Sequence, residues 1–153
     1  MNKIYKHTQF GYLIATLLIL GAILILLLMK IYGFNWIAFM VLVFLILCLL
    51  LFSTLTISIN NDILEISFGI GLIRKKFLLK DIESCRIVKN PWYYGWGIRL
   101  TPYGWLYNVS GFYAVEIVLK TGKRYRIGTN TPNELEKSIQ ESIEKLKCNE
   151  KSI

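Results

Sequence analysis

Acidic side chains are missing from the first part of this 153-residue chain: none occurs before Asp62, and only Lys3, Lys6 and Lys30 carry charge there. Histidine occurs once, at His7, with no Ser, Cys or acid placed by sequence to work with it, so acid–base and nucleophilic catalysis find no support. The three cysteines, Cys48, Cys85 and Cys148, show neither metal-ligand spacing nor an extracellular disulfide framework and read as free thiols. A phosphate loop of the G-x-x-x-x-G-K-[ST] type is lacking, and G-x-G at Gly69 to Gly71 or Gly95 to Gly97 is too short to replace it. No enzyme, metal site or cofactor is expected. Basic and aromatic residues are compatible with nucleic acid, but a membrane explains the same residues, so no nucleic-acid partner is assigned.

What the chain has in excess is apolar surface. It is 54% hydrophobic, with a mean hydropathy of +0.47, which is too apolar for a soluble domain of this size and implies a membrane protein. Phe10 to Met29 is uncharged over about 20 residues, the length of a bilayer span. A second run extends from Trp36 to Phe52 and is drawn here to residue 54, so residues 1–54 are expected to form an antiparallel transmembrane hairpin around a turn at Gly33. A cleaved signal peptide is the alternative for the first run; its length, the missing A-x-A-like site and the second span argue against it.

The short connection carries Lys30 alone, whereas Lys3 and Lys6 precede the spans and fifteen Lys and Arg follow them. The positive-inside rule therefore puts both termini in the cytoplasm, in the cell (inner) membrane. Tyr5, Tyr12, Tyr32 and Trp36 fall where interfacial aromatics belong. Thr16 and Cys48 are the most polar side chains within the spans, so one copy offers no ion or proton path. Gly11, Ala15, Leu18 and Ala22 share one helix face, suited to close packing on the second span or, alternatively, on another copy.

From Leu55 the hydrophobic period becomes two, and residues 55–147 read as a cytoplasmic β-domain. A turn at Asn61 and Asp62 sets Ile59 against Leu64, Ile57 against Ile66 and Leu55 against Phe68, with every apolar residue on one side. Strands are expected at Ile73 to Leu79 and Ile82 to Val88. Near the C-terminus, a loop with Gly122 in the left-handed conformation sets Ile117 against Tyr125 and Val115 against Ile127. It also brings Glu116 opposite Arg126 as an exposed pair, worth at most about 1 kcal/mol. Thr131, Pro132 and Glu134 start a helix with a capping box. Its stripe of Leu135, Ile139, Ile143 and Leu146 should lie on the sheet, and residues 148–153 should fray.

The stretch Tyr94 to Gly111 suits neither a plain helix nor a plain strand. Its aromatics, with Trp92 and Tyr93, read first as core and hairpin packing and second as a surface touching a membrane interface or partner, with Trp92, Trp96 and Trp105 as candidate interface residues. Arg99 is either paired with Glu83 or Glu116 or free to bind an anion. Arg74, Lys76, Arg124 and Arg126 complete the candidate anion- or lipid-binding set. Fifteen basic against ten acidic residues after Phe52 would draw the domain to an anionic leaflet, unless that charge serves only topology and solubility.

Trp96-Gly97-Ile98-Arg99, then Gly104 to Gly111, then Thr121-Gly122, then Arg126 to Thr129 resemble the pattern of bacterial membrane-anchored PH-like (bPH) proteins, a family of largely unassigned function. The resemblance covers about Leu55 to Leu146. It implies an α+β membrane protein: a transmembrane hairpin followed by a strongly bent sheet or partly open barrel with an amphipathic C-terminal helix. No ligand-binding residues are carried over from that family. The expected function is a noncatalytic scaffold that recruits a protein partner, or a second copy, to the membrane through a sheet edge or the groove beside the C-terminal helix. An anionic-lipid sensor, or an accessory subunit of a transporter or enzyme complex, is the alternative.

Overall fold

The computed structural model describes residues 3–60 and 62–151. Strand β1 (Lys3–Phe10) leads into helix α1 (Tyr12–Tyr32), and a tight connection at residues 33–35 leads into helix α2 (Trp36–Phe52). Strands β2 (Thr54–Asn60), β3 (Ile63–Phe68), β4 (Ile73–Leu78) and β5 (Ile82–Lys89) follow, then β6 (Gly97–Thr101), β7 (Gly104–Asn108), β8 (Tyr113–Leu119), β9 (Arg124–Gly128) and helix α3 (Pro132–Lys151). Single 3-10 turns occupy Leu79–Asp81 and Trp92–Tyr94.

Helix α1 is long and apolar enough to cross a membrane, while α2 is equally apolar but has 17 residues. Helix α2 starts at Trp36 as expected, but the other boundaries of the two spans differ from the sequence expectation. Phe10 belongs to a strand, Lys30 to Tyr32 continue α1, and Thr54 and Leu55 belong to β2. Hydropathy averages over these positions, whereas hydrogen bonding decides them. The Asn35 side chain accepts from the amides of Ile37 and Ala38 and so starts α2 at Trp36. Ala15 is buried, Leu18 and Ala22 are half-buried, and Gly21 comes against Leu45 of α2, whereas Gly11, just before α1, lies against Val109 and Ser53.

The strands form two sheets, in the orders β1-β2-β3-β4 and β5-β8-β9-β7-β6, and neither closes into a barrel. The β2–β3 register is the expected one, with Leu55, Ile57 and Ile59 opposite Phe68, Ile66 and Leu64; Asn61 of that turn lies outside the described residues. The β8–β9 register is likewise the bulged one, Gly122 adopting φ 79°. One core joins the sheets: Ile57, Ile66, Phe68 and Phe77 from the first meet Tyr107, Ile117, Tyr125 and Ile127 from the second. Leu135 and Ile139 of α3 are fully buried in it, with Ile143 and Leu146 at its margin. Helix α3 runs on to Lys151, and Thr131 Oγ1 lies 3.3 Å from the Tyr5 hydroxyl. Tyr5 is therefore part of the β-domain rather than of an interfacial belt.

Strand β1 had no hydrophobic signal of its own. Lys6, Thr8 and Gln9 are polar, yet the segment pairs along β2 from Tyr5↔Ile59 to Phe10↔Thr54. The strand that enters the helical hairpin and the strand that leaves it are thus neighbours in one sheet.

Candidate functional site

Because β1 and β2 are continuous with α1 and α2, one end of the β-domain is held at the base of the hairpin. Three loops collect there. The β3–β4 turn is the first: the Gly69 amide donates to the Thr54 carbonyl (2.8 Å), and a Cβ at Gly69 would overlap the Leu50 and Leu51 carbonyls at the end of α2. Only glycine tolerates both that approach and the φ of 53°. The β7–β8 loop is the second: the Gln9 side-chain amide donates to the carbonyl (2.7 Å) and hydroxyl (2.6 Å) of Ser110, while Val109 packs beside Gly11. The third is the end of the β5–β6 connection with the start of β6, where Gly95 to Arg99 face Ile14 and Leu18 of α1 and Cys48 and Phe52 of α2 across a groove of about 570 Å³.

The composition of this end is distinctive. Residues 69–75, 89–99 and 108–113 contain no acid, but they contain Arg74, Lys75, Lys89 and Arg99. Ile70 and Leu72 are each 68% exposed and Trp92 is 78% exposed, with Tyr93 and Phe112 also open. Packing as the main role of the 92–107 aromatics is therefore corrected for Trp92 and Tyr93; only Tyr107 is core, between Phe68 and Tyr125. Trp105 is half-exposed but lies at the start of β7, next to the 102–103 turn at the opposite end of the sheet.

The candidate cations divide in the same way. Arg74, at the helix-facing end of β4, donates Nε–H to the Gly71 carbonyl (2.6 Å) and lies 4.0 Å from Glu65. Lys76 stands opposite Glu65, farther along the strand. Arg124 opens β9 at the opposite end, and its carbonyl packs against Gly104.

Arg126 is removed from the lipid-binding set. Its guanidinium is buried, donating Nε–H to Glu116 Oε2 (2.8 Å) and Nη1–H to Asn90 Oδ1 (3.0 Å), with the Tyr103 ring 4.3 Å away. The register opposite Glu116 is as expected, but the pair is not exposed. Arg86 reaches the same carboxylate through Oε1 at 2.6 Å, and the Glu116 side chain is 0% exposed. Burial pushes the Glu116 carboxyl up, but hydrogen bonds from Arg126 and Arg86 and their charges outweigh it and hold the carboxyl below its ordinary range.

With Glu116 occupied, the expected pairing of Arg99 is overturned. Arg99 is exposed and donates Nε–H to the Trp96 carbonyl at 3.2 Å, and no acid pairs with it among the described residues. Beside it, the Trp96 indole Nε1–H is buried and has no hydrogen-bond partner among the described residues. The sequence suggested Arg99 and Trp96 singly; Ile70, Leu72 and Lys89 were missed because only the folded loops bring them to the hairpin. Near α3, a second recess is lined by Glu141, Glu144, Lys145 and Cys148 of the helix itself.

Compared with models of known families and with curated proteins, the chain matches none.

Proposed function

We propose that this chain is a two-span membrane protein whose PH-like β-domain is a noncatalytic module that docks on the anionic cytoplasmic face of the membrane and reads its lipid composition. The observation that carries this reading is the end of the domain at the hairpin base: its three loop segments contain basic residues and no acid, and they are edged by exposed Ile70, Leu72, Trp92 and Tyr93. In this reading α1 and α2 cross the bilayer, α2 at the short end of the spanning range. The loops then lie at headgroup depth, where aromatic rings partition and each Lys or Arg gains about 1 kcal/mol from anionic lipid. Two packed sheets with a helix against one side, and the W-G-I-R and G-W-L-Y-N-V-S-G segments, support the PH-like assignment.

These loops favour a lipid surface over a protein partner. The recruiting function keeps one specific support: β6 is the last strand of its sheet, and Leu100 on it is 71% exposed, which suits an added strand.

A spin label at position 70 of the full-length protein in liposomes tests the reading. With anionic lipid present, position 70 should be reached by oxygen dissolved in the bilayer, and a label at position 103 by an aqueous relaxing agent. Neutralising Arg74, Lys89 and Arg99 to Gln, or raising salt, should lift position 70 from the surface. A position 70 that stays aqueous in anionic and neutral liposomes alike would overturn it.

A further inference from the structure

We propose that the groove between the hairpin base and residues 96–99 is a binding site for one anionic phospholipid, with the phosphodiester on Arg99 and Trp96 and an acyl chain along the helices. The inference rests on the membrane-docked reading above and gives it a specific ligand. One wall of the groove is Ile14 and Leu18 of α1 with Cys48 and Phe52 of α2; the other is the Trp96 to Arg99 backbone and side chains. Leu18 stands six residues beyond Tyr12, so the apolar wall climbs about 9 Å along the helix from its base. Polarity is thus ordered along the groove as it is along a lipid, with donors at the headgroup end and hydrocarbon toward the membrane interior.

The donors are unspent. Arg99 has no acid partner among the described residues, and its one hydrogen bond leaves most of the guanidinium fork open. Trp96 lines the same groove, and its N–H is buried without an acceptor among the described residues, so a small turn of the ring toward the groove is needed for it to meet a ligand. Both groups donate and neither accepts, so the complementary ligand is an anion rich in acceptor oxygens. Residues 89–99 and 108–113 hold no carboxylate to compete for it. A free phosphate would satisfy the donors but leave the apolar wall unfilled; a phospholipid fills both.

Native mass spectrometry of the full-length protein in mild detergent, supplied with phosphatidylglycerol, phosphatidylcholine or inorganic phosphate, tests the site. The wild type should retain one phosphatidylglycerol in preference to phosphatidylcholine, and excess inorganic phosphate should not displace it. Arg99→Gln should weaken retention about tenfold or more, Trp96→Phe by a smaller factor with packing kept, and Arg124→Gln not at all. Thermal melts of each variant separate loss of ligand from loss of fold. Equal retention by wild type, R99Q and W96F overturns the site, as does displacement by inorganic phosphate, which would make it a soluble-anion site. If the label at position 70 still docks while R99Q retains lipid unchanged, the docked reading stands and this site falls. If the label stays aqueous as well, both fall.

Discussion

The Gly11 amide donates to the Ser53 carbonyl at 2.7 Å, closing the last gap between the β1–β2 ladder and the feet of the two apolar helices. Sheet and hairpin are thereby one continuous piece, and the orientation of the β-domain follows from that of the helices. Cysteines introduced at Phe10 and Thr54, which face each other in the ladder, should form a disulfide on mild oxidation in membranes once the native cysteines are replaced. Cysteines at Phe10 and Ser67 should not. Failure of the first pair, shown by unchanged gel mobility, would remove β1 from the sheet.

Gly69 sets another contact between hairpin and domain. A side chain there meets the Leu50 and Leu51 carbonyls and must also adopt φ 53°. Gly69→Ala should lower stability by about 2 kcal/mol or more, read from unfolding in detergent. Gly21→Ala, whose Cβ would meet Leu45 at an ordinary 3.5 Å, should be close to neutral.

The buried carboxylate of Glu116 makes stability depend on pH in a definite direction. Its pKa is lower in the folded chain than its ordinary value of 4.5. The stability it contributes is therefore fully present above that value and is lost as pH falls through the folded pKa. Glu116→Gln should flatten this acid limb while costing about 3 kcal/mol near neutrality, because Arg126 is left buried without a counter-charge. Arg86→Gln should cost less than about 1 kcal/mol, since its side chain is 63% exposed and Arg126 still holds the carboxylate. Melts across a pH series would check both.

Local pattern carried much of this architecture. Leu55, Ile57 and Ile59 fix their register because a slip of one residue would expose all three, and Gly122 selects its loop through its φ. Leu135 and Ile139 are apolar at helical spacing, and both are buried. Strand β1 was illegible because its partner, β2, lies beyond two helices and its own residues do not alternate in hydrophobicity. The central stretch resolved into the β6–β7 hairpin only through non-local pairing, β7 lying parallel to β9 with Tyr107 opposite Ile127. Composition did point to Arg99 and Trp96. It could not show that Glu116 is claimed by Arg86 and Arg126, which is what leaves Arg99 without an acid, nor that Arg124 sits at the far end of the sheet.

The central claim is that the loop end at the hairpin base meets the lipid surface, and thiol protection in inverted membrane vesicles tests it most directly. In a chain freed of its native cysteines, single cysteines at Ile70, Trp92, Tyr103 and Arg124 are exposed to a membrane-impermeant thiol reagent, before and after the bilayer is dissolved in detergent. Positions 70 and 92 should be protected in vesicles and released by detergent, while 103 and 124 react at similar rates in both. Equal reaction at all four positions in intact vesicles would contradict the docked arrangement, and protection confined to 103 and 124 would reverse it.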